Sequence, residues 1–223
     1  MRTFVYIDGF NLYYRALRRT PYRWLDLSKL TQLLLPKNQI HRIHYYTARI
    51  NARPGDPDQP TRQQFYLRAL ATIPNLAVTY GQFLTHKKKM ALAADPKKIV
   101  EVLKTDEKGS DVNLATHLIY EAMRDDYDVA VVITNDSDLA EPIRIVTQEV
   151  RKKVGILSPA KHPTQELLKY ASFYKTIRNS VLAASQFPTE LADVHGKFRK
   201  PDSWQGNPIP SPRTAPPESA RGR

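Results

Sequence analysis

The chain has 223 residues, of which 41% are hydrophobic and 25% are charged. These values are ordinary for a globular protein, and the length predicts one sizeable domain with its own core. No apolar run approaches the roughly 20 residues of a membrane span, and the N-terminus lacks a signal-peptide pattern. The absence of cysteine excludes disulfides, thiolate metal sites and a cysteine nucleophile. Together these features favour a cytoplasmic protein, although a chain without cysteine is also compatible with export.

The chain is strongly basic. Its 34 Lys and Arg residues exceed its 22 Asp and Glu residues, which gives a formal net charge of +12. Residues 1–184 hold 28 of the basic and 18 of the acidic residues, so the charge belongs mainly to the predicted folded part. A basic protein of this size attracts polyanions, of which nucleic acid is the commonest. A generally solubilising surface is the alternative interpretation.

Predicted strands and helices alternate along the chain. Apolar runs predict strands at 2–7, 40–50, 76–84, 99–103, 129–133 and 154–158, and 172–177 is a last strand or a connector. Helical periodicity predicts helices at 12–18, 26–35, 61–73, 111–123, 139–150, 162–168 and 179–185. This alternation indicates an α/β domain with a mainly parallel central sheet.

Carboxylates follow the strands. Asp8 comes directly after the first predicted strand, Asp136 and Asp138 follow the strand at 129–133, and Asp111 opens a helix. In open α/β sheets, ligands bind beyond the carboxyl ends of the strands, so these side chains are expected to converge at one edge. Anions this close repel each other unless a cation lies between them.

Helix capping is the competing explanation for each of these acids. Asp138 followed by Glu141 resembles a capping box, Asp8 could make a turn or a cap, and Ser110 is as good a cap as Asp111. Asn11 could orient Asp8, contact a substrate or cap a helix.

A run of cationic side chains, Lys87, Lys88 and Lys89, follows the predicted strand at 76–84. We expect the strand at 99–103 to return antiparallel to it, with the lysines at the hairpin end. Phosphate contact is the favoured role in a protein of this charge, and a solvated loop tip is the alternative.

The composition changes near residue 185. Seven of the 17 prolines lie between Pro188 and Pro217, which predicts a domain at 1–184 followed by a Pro-rich, largely extended or disordered tail at 185–223. Phe198 and Trp204 within this tail could dock onto the domain or onto a partner protein.

Three motifs carry a resemblance to a known family. The runs Ile7-Asp8-Gly9-Phe10-Asn11-Leu12, Lys108-Gly109-Ser110-Asp111-Val112-Asn113-Leu114-Ala115 and Thr134-Asn135-Asp136-Ser137-Asp138 resemble the NYN domain of the PIN-like nuclease superfamily, in particular its bacterial LabA-like branch. The resemblance covers roughly residues 2–177. It implies a Rossmann-like three-layer fold and a metal-dependent ribonuclease that hydrolyses RNA phosphodiester bonds.

The resemblance also implies roles for named residues. The expected catalytic set is Asp8, Asn11, Asp111, Asp136 and Asp138, and its four aspartates would hold Mg²⁺ or Mn²⁺. Hard cations of this kind prefer carboxylate and water oxygens. Many relatives carry an acid at the position of His117, so the contribution of this histidine is left open.

Partners and competing functions follow from the same residues. Arg15 and Lys87, Lys88 and Lys89 are expected to hold the RNA backbone. The alternatives are a module that binds RNA or a protein without cleavage, and a small-molecule phosphohydrolase. Many relatives self-associate, so the oligomeric state is left open between a monomer and a homo-oligomer. The Pro-rich tail is a candidate to bind a protein partner.

Overall fold

A computed structural model describes residues 1–52 and 55–205 of the chain. Nine strands are named in chain order: β1 Arg2–Asp8, β2 Gln39–Ala48, β3 Leu76–Leu92, β4 Asp95–Lys108, β5 Val129–Ile133, β6 Lys153–Ser158, β7 Phe173–Thr176, β8 Glu190–Asp193 and β9 Gly196–Arg199. The α-helices are α1 Gly9–Leu12, α2 Leu27–Leu34, α3 Gln59–Ala71, α4 Ser110–Met123, α5 Ala140–Arg144, α6 Gln165–Leu168 and α7 Asn179–Ala184. Within these described parts, no helix is both long and apolar enough to cross a membrane.

A seven-stranded sheet organises the molecule, in the order β4-β3-β2-β1-β5-β6-β7. All neighbouring pairs are parallel except β3 and β4, which are antiparallel. The strand order reverses direction around β1, which pairs with β2 on one side and β5 on the other. The prediction of an α/β fold with a mainly parallel sheet is confirmed.

Side chains alternate between two hydrophobic cores, one on each face of the sheet. Val5 and Ile7 of β1 enter the core that α2, α3 and α7 cover, whereas Phe4 and Tyr6 enter the core beneath α4 and α5. This alternation is the two-residue period of a strand, and burial on both faces explains the continuous apolar runs in the sequence. The result is a helix–sheet–helix sandwich of three layers.

The strands β3 and β4 extend beyond the sheet as a two-stranded ribbon. Pairing of β3 with β2 ends at Gly81, but pairing with β4 continues to Leu92. The projecting part is about 35 Å long at the usual rise per residue. The three lysines lie in the middle of this ribbon, so our expectation that they lie at the hairpin end was wrong.

The predicted helix at 139–150 is divided into three short turns. Ser137–Leu139 is a 3₁₀ turn, α5 follows, and Ile145–Glu149 is a π-helical turn. Pro142 lies within α5 and has no backbone N–H, so this segment lacks one of the hydrogen bonds of a regular helix. The hydrophobic periodicity of the sequence did not reveal these changes of helical type.

Residues 185–205 pack onto the domain. The strands β8 and β9 form a small antiparallel sheet, and Phe187, Phe198 and Trp204 surround the fully buried Trp24 with ring centroids 5.9–6.4 Å away. The Trp24 indole N–H also donates to the carbonyl of Pro188 at 2.8 Å. The expectation of an extended chain therefore fails for residues 185–205. Residues 206–223 lie outside the described residues, and there the expected extended tail stays a prediction.

Candidate functional site

Asp8 is the most buried carboxylate of the predicted set. It ends the central strand β1 and is only 5% exposed. One carboxylate oxygen, Oδ1, accepts a hydrogen bond from the Asn11 backbone N–H at 2.9 Å, and the other accepts from the Thr134 hydroxyl at 3.2 Å. Asp8 therefore caps the short helix α1, and its carboxylate also reaches across to the chain that follows β5.

The charge on Asp8 is poorly compensated. Burial is the main cause that raises the pKa of its carboxyl to about 7, and the nearby Asp111 and Asp136 raise it further. The hydrogen bonds from Asn11 and Thr134 oppose the shift. A carboxyl buried next to two other carboxylates favours a proton or a cation.

Asp136 follows β5 and lies near Asp8. Its Oδ1 accepts a hydrogen bond from the Asp138 backbone N–H at 3.0 Å, so Asp136 caps the 3₁₀ turn at 137–139. Capping was an open alternative to metal binding for Asp138, and in the structure the capping residue of this pair is Asp136. Asp138 is exposed on the first turn, although it is close enough to raise the pKa of Asp111.

Asp111 does not act as a helix cap. The N-cap position of α4 is Gly109, which has a left-handed backbone with φ of 98°, and Asp111 lies in the first turn. The Glu107 carboxylate accepts from both the backbone N–H and the hydroxyl of Ser110, at 3.2 and 2.7 Å. Burial, followed by the charges of Asp136, Glu107 and Asp138, raises the pKa of Asp111. Asp111 is therefore available for the site.

Asn11 connects the two loops that carry the carboxylates. Its Oδ1 accepts a hydrogen bond from the Asn135 backbone N–H at 3.0 Å. The Asn135 side chain in turn accepts from the Ser158 hydroxyl and the Thr164 backbone N–H. Asn11 therefore holds the chain after β1 against the chain after β5, and the residue that caps α1 is Asp8. Contact of Asn11 with a substrate stays a prediction.

These side chains surround one open pocket of about 210 Å³. Its lining residues are Asp8, Phe10, Asn11, Tyr14, Arg15, Glu107, Asp111 and Asp136. Asp138 and His117 are not among them. His117 instead contacts the Tyr46 hydroxyl through Nδ1 at 2.9 Å, on the core side of α4.

The pocket fits a hard cation by the chemistry of its oxygen atoms. Among the residues that the structure describes, no group of three or more His, Asp or Glu side chains is arranged to hold a metal ion as it stands. The oxygens of Asp8 and Asp136 that accept hydrogen bonds each retain a second lone pair, so capping does not remove their capacity to bind a cation. Three crowded carboxylates, one of them with a strongly raised pKa, are the donor set that Mg²⁺ and Mn²⁺ prefer.

The basic residues predicted to hold RNA lie in two places. Arg15 lines the carboxylate pocket. Lys87 and Lys89 lie on the ribbon face that also carries Phe83 and Glu107, and Lys88 lies on the opposite face, because side chains alternate along a strand. Phe83 contacts Phe10 at the pocket with ring centroids 5.6 Å apart, so Lys87 and Lys89 share a ribbon face with the pocket wall.

Sequence reasoning missed several residues of the site. Thr134 hydrogen-bonds Asp8 and accepts from the Asp136 backbone N–H at 3.1 Å, and Glu107 adds a fourth carboxylate to the pocket. Phe10 and Tyr14 form one wall. Thr134 and Phe10 lie two residues from the predicted acids in the chain, which is a usable signal. Glu107 lies four residues before Asp111, and its carboxylate accepts from Ser110 at the start of α4, while the pairing of β4 with β3 sets the face on which it lies.

Comparison with known proteins identifies the family. The sequence profile of the NYN domain matches residues 2–178 of this chain. The chain is 31% identical over 243 aligned positions to 6-hydroxy-3-succinoylpyridine 3-monooxygenase HspA of Pseudomonas putida, and the match spans 93% of this chain and 77% of that protein.

A solved structure shares the fold. It is a protein of unknown function from Vibrio parahaemolyticus, with a TM-score of 0.54 and 17% sequence identity. The similarity covers 80% of this chain and 93% of that chain. At this identity the likeness concerns the fold alone.

Proposed function

The chain belongs to the NYN domain family, and on that premise we propose that it is a metal-dependent ribonuclease. Membership in this family indicates nuclease activity in general terms. The observation that carries the finer proposal is the buried Asp8, whose pKa is raised to about 7 beside Asp111 and Asp136 in a chain with a net charge of +12. A basic chain with concentrated carboxylates suits a cation-dependent reaction on a polyanion.

Asp8, Asp111 and Asp136 would hold Mg²⁺ or Mn²⁺, and Asp138 would contribute directly or through water. When bound, the ion would lower the pKa of a coordinated water and stabilise the negative charge that develops on the leaving oxygen. The reaction adds water across one P–O bond of RNA, which leaves a phosphate at one new end and a hydroxyl at the other. LabA-like character within the family and the cytoplasmic location stay predictions.

The remaining residues position the reactants. The hydrogen bonds of Asn11 and Thr134 fix Asp8 relative to the chain after β5, so the spacing of the carboxylates does not depend on mobile side chains. Arg15 at the pocket wall would bind a phosphate oxygen. Lys87 and Lys89 would bind phosphates of the RNA strand that leaves the pocket along the ribbon.

A second candidate rests on the relative from Pseudomonas putida. That protein is named as a monooxygenase of a hydroxypyridine, and its similarity extends over 93% of this chain. Monooxygenation would need O₂ and a two-electron reductant in addition to the pyridine. Several carboxylates at one pocket of a chain with a net charge of +12 suit a cation and a phosphate, so ribonuclease activity is the favoured function.

The proposal is tested with Asp136→Asn. Asparagine keeps Oδ1, and therefore the hydrogen bond from the Asp138 N–H, but it removes the charge. We expect loss of RNA cleavage in Mg²⁺ or Mn²⁺, while binding of RNA stays equal or becomes stronger because an anion has been removed. Chelation of the metal should abolish cleavage by the wild type.

Asp26→Asn is the matched control. Asp26 also caps a helix through Oδ1, with the Lys29 N–H as donor at 3.0 Å, but it lies outside the pocket. Asp26→Asn should cleave RNA at the wild-type rate. Equal cleavage by the wild type and Asp136→Asn would refute the proposal. So would hydroxylation of 6-hydroxy-3-succinoylpyridine with O₂ and a two-electron reductant by a protein that leaves RNA intact.

A further inference from the structure

A second cavity adjoins the carboxylate pocket. It has a volume of about 110 Å³ and opens to solvent between the chain after β1 and the helix α3. Phe10 and Tyr14 line both cavities. Their rings are nearly parallel, with centroids 6.4 Å apart and an interplanar angle of 24°. A molecule in the second cavity would therefore lie next to whatever the carboxylates hold.

Aromatic side chains make up six of the 15 residues that line this cavity. Tyr13 meets the edge of Tyr14 with ring centroids 5.3 Å apart, and Tyr45 lies beneath them. A Cβ at Gly9 would lie 2.7 Å from the Tyr45 ring, so glycine permits the close approach of this ring to the chain after Asp8. Burial, together with the charge on Asp8, raises the pKa of Tyr45, which keeps the phenol neutral.

The far end of the cavity is polar. Arg62 donates from Nη2 to both carboxylate oxygens of Asp56 at 2.6 and 2.5 Å, which places fixed donors and acceptors side by side. Gln63 holds the adjacent chain by donating to the Ala48 carbonyl and accepting from the Ile50 N–H. A flat ring bounded by aromatic faces, with hydrogen-bonding groups at its edge, matches this arrangement.

We propose that this cavity binds the base of the nucleotide next to the scissile phosphate, and that the enzyme consequently acts on unpaired RNA. This inference rests on the proposed ribonuclease function and specifies its substrate. The cavity is of the same order as the roughly 150 Å³ that holds one benzene ring. A base within a duplex is stacked and paired, and proteins that read or stack single bases take them from single strands.

Binding measurements distinguish the contribution of the base to affinity from that of the phosphate. Adenosine 5′-monophosphate, uridine 5′-monophosphate and ribose 5-phosphate contain no phosphodiester bond, so their binding can be measured in Mg²⁺ by calorimetry. We expect both nucleotides to bind more tightly than ribose 5-phosphate, by about 5- to 100-fold, since stacking of one base on aromatic side chains has this effect. Equal binding of all three would overturn the proposal.

Tyr14→Leu tests the aromatic wall. Tyr14 is 49% exposed, so its replacement should leave the fold intact, and unchanged thermal unfolding will verify this. Nucleotide binding should weaken about 5- to 100-fold while binding of ribose 5-phosphate stays constant. Tyr120→Leu is the matched control, because Tyr120 is 54% exposed on α4 and lies outside the cavity. An equal loss in both variants would overturn the assignment.

Cleavage assays then separate this inference from the proposed function. A single-stranded RNA should be cut faster than the same RNA annealed to its complement, and one abasic nucleotide should protect the adjacent phosphate. If neither annealing to the complement nor the abasic nucleotide alters cleavage, the base site is refuted and the ribonuclease proposal stands. Base-dependent nucleotide binding without any cleavage refutes the ribonuclease and leaves the base site. Binding of a free hydroxypyridine as tight as that of the nucleotides would assign the cavity to a small heteroaromatic molecule and overturn the proposal.

Discussion

Replacing Asp8 with asparagine should stabilise the metal-free protein at high pH while it removes the proposed activity. The Asp8 carboxyl has a pKa of about 7 in the folded chain against 3.8 for the unperturbed group, with burial as the main cause. A difference of about 3 pKa units corresponds to about 4 kcal/mol, by which the folded state is destabilised when this group is ionised.

The expected gain is smaller than this figure. In Asp8→Asn, the side-chain oxygen would still accept from the Asn11 N–H, but Nδ2 could not accept from the Thr134 hydroxyl. Loss of this second hydrogen bond costs about 1–2 kcal/mol of stability. The net stabilisation at pH 8 is therefore about 2–3 kcal/mol, or roughly 4–12 °C in Tm for a chain of this size.

The pH dependence follows from the direction of the pKa shift. Because the folded pKa is raised, the contribution of Asp8 to stability is fully present below the unfolded pKa near 4 and is lost as pH rises through 7. The stability of the wild type should fall over this window relative to that of Asp8→Asn. At pH 4 the two proteins should differ little, apart from the lost hydrogen bond.

Thermal and urea unfolding in a chelator, at pH 4 and pH 8, measure this difference. Added Mg²⁺ at pH 8 should stabilise the wild type and leave Asp8→Asn unchanged, because a ligand of the folded state shifts the unfolding equilibrium. Asp26→Asn should behave like the wild type at both pH values. If Asp8→Asn were no more stable than the wild type at pH 8, the reasoning about an uncompensated buried charge would be wrong.

Three further outcomes are expected. Lys87→Ala combined with Lys89→Ala should weaken single-stranded RNA binding and reduce the slope of log K against log salt by about 1.4. Lys88→Ala, on the other ribbon face, should change the affinity and the slope less. Equal effects would show that the three lysines are solvated and do not contact phosphates. Gly9→Ala should disrupt folding or activity, because the added Cβ would lie 2.6 Å from the Tyr46 carbonyl oxygen, and wild-type unfolding and cleavage would contradict this. Trp204→Ala should lower the free energy of unfolding by about 3–5 kcal/mol, because it leaves a cavity beside Trp24, and urea denaturation measures this loss. A loss below about 1 kcal/mol would show that the neighbouring side chains fill the cavity without cost.

The parallel strands could be predicted because strands that are buried on both faces of a sheet have continuous apolar sequences. The run Val129–Ile133 is apolar at every position, and all five residues are buried between two helical layers. The ribbon was harder to predict. Most side chains of β3 and β4 beyond the sheet are exposed, so no alternation of apolar and polar residues marks the length of these strands.

The sequence predicted the sheet edge at which the acidic residues gather, but not which of them caps a turn nor that Glu107 joins them. Asp8 and Asp136 could be assigned to one sheet edge because strand ends in a parallel sheet share that edge. Asp111 reaches the same edge by another route, because β4 returns to it antiparallel to β3. Which of two nearby acids caps a turn depends on backbone angles, and both Asp136 and Asp138 are acceptable N-cap residues by type. The position of Glu107 depends on a strand register, which a single sequence does not give.

The tail illustrates a different limit. The sequence contained Phe198 and Trp204 but no information on their partner, since an aromatic side chain gains from burial against any apolar surface. The partner is Trp24, far away in the chain.

The contact between Trp24 and Trp204 has a consequence for synthesis on the ribosome. At 5–20 residues per second, about 10–40 s separate the translation of these two positions. During that interval the large Trp24 side chain has no cover from Phe187, Phe198 or Trp204. The nascent chain therefore carries an exposed aromatic patch that a chaperone can bind, and Trp24 is covered only after the chain up to Trp204 has been made.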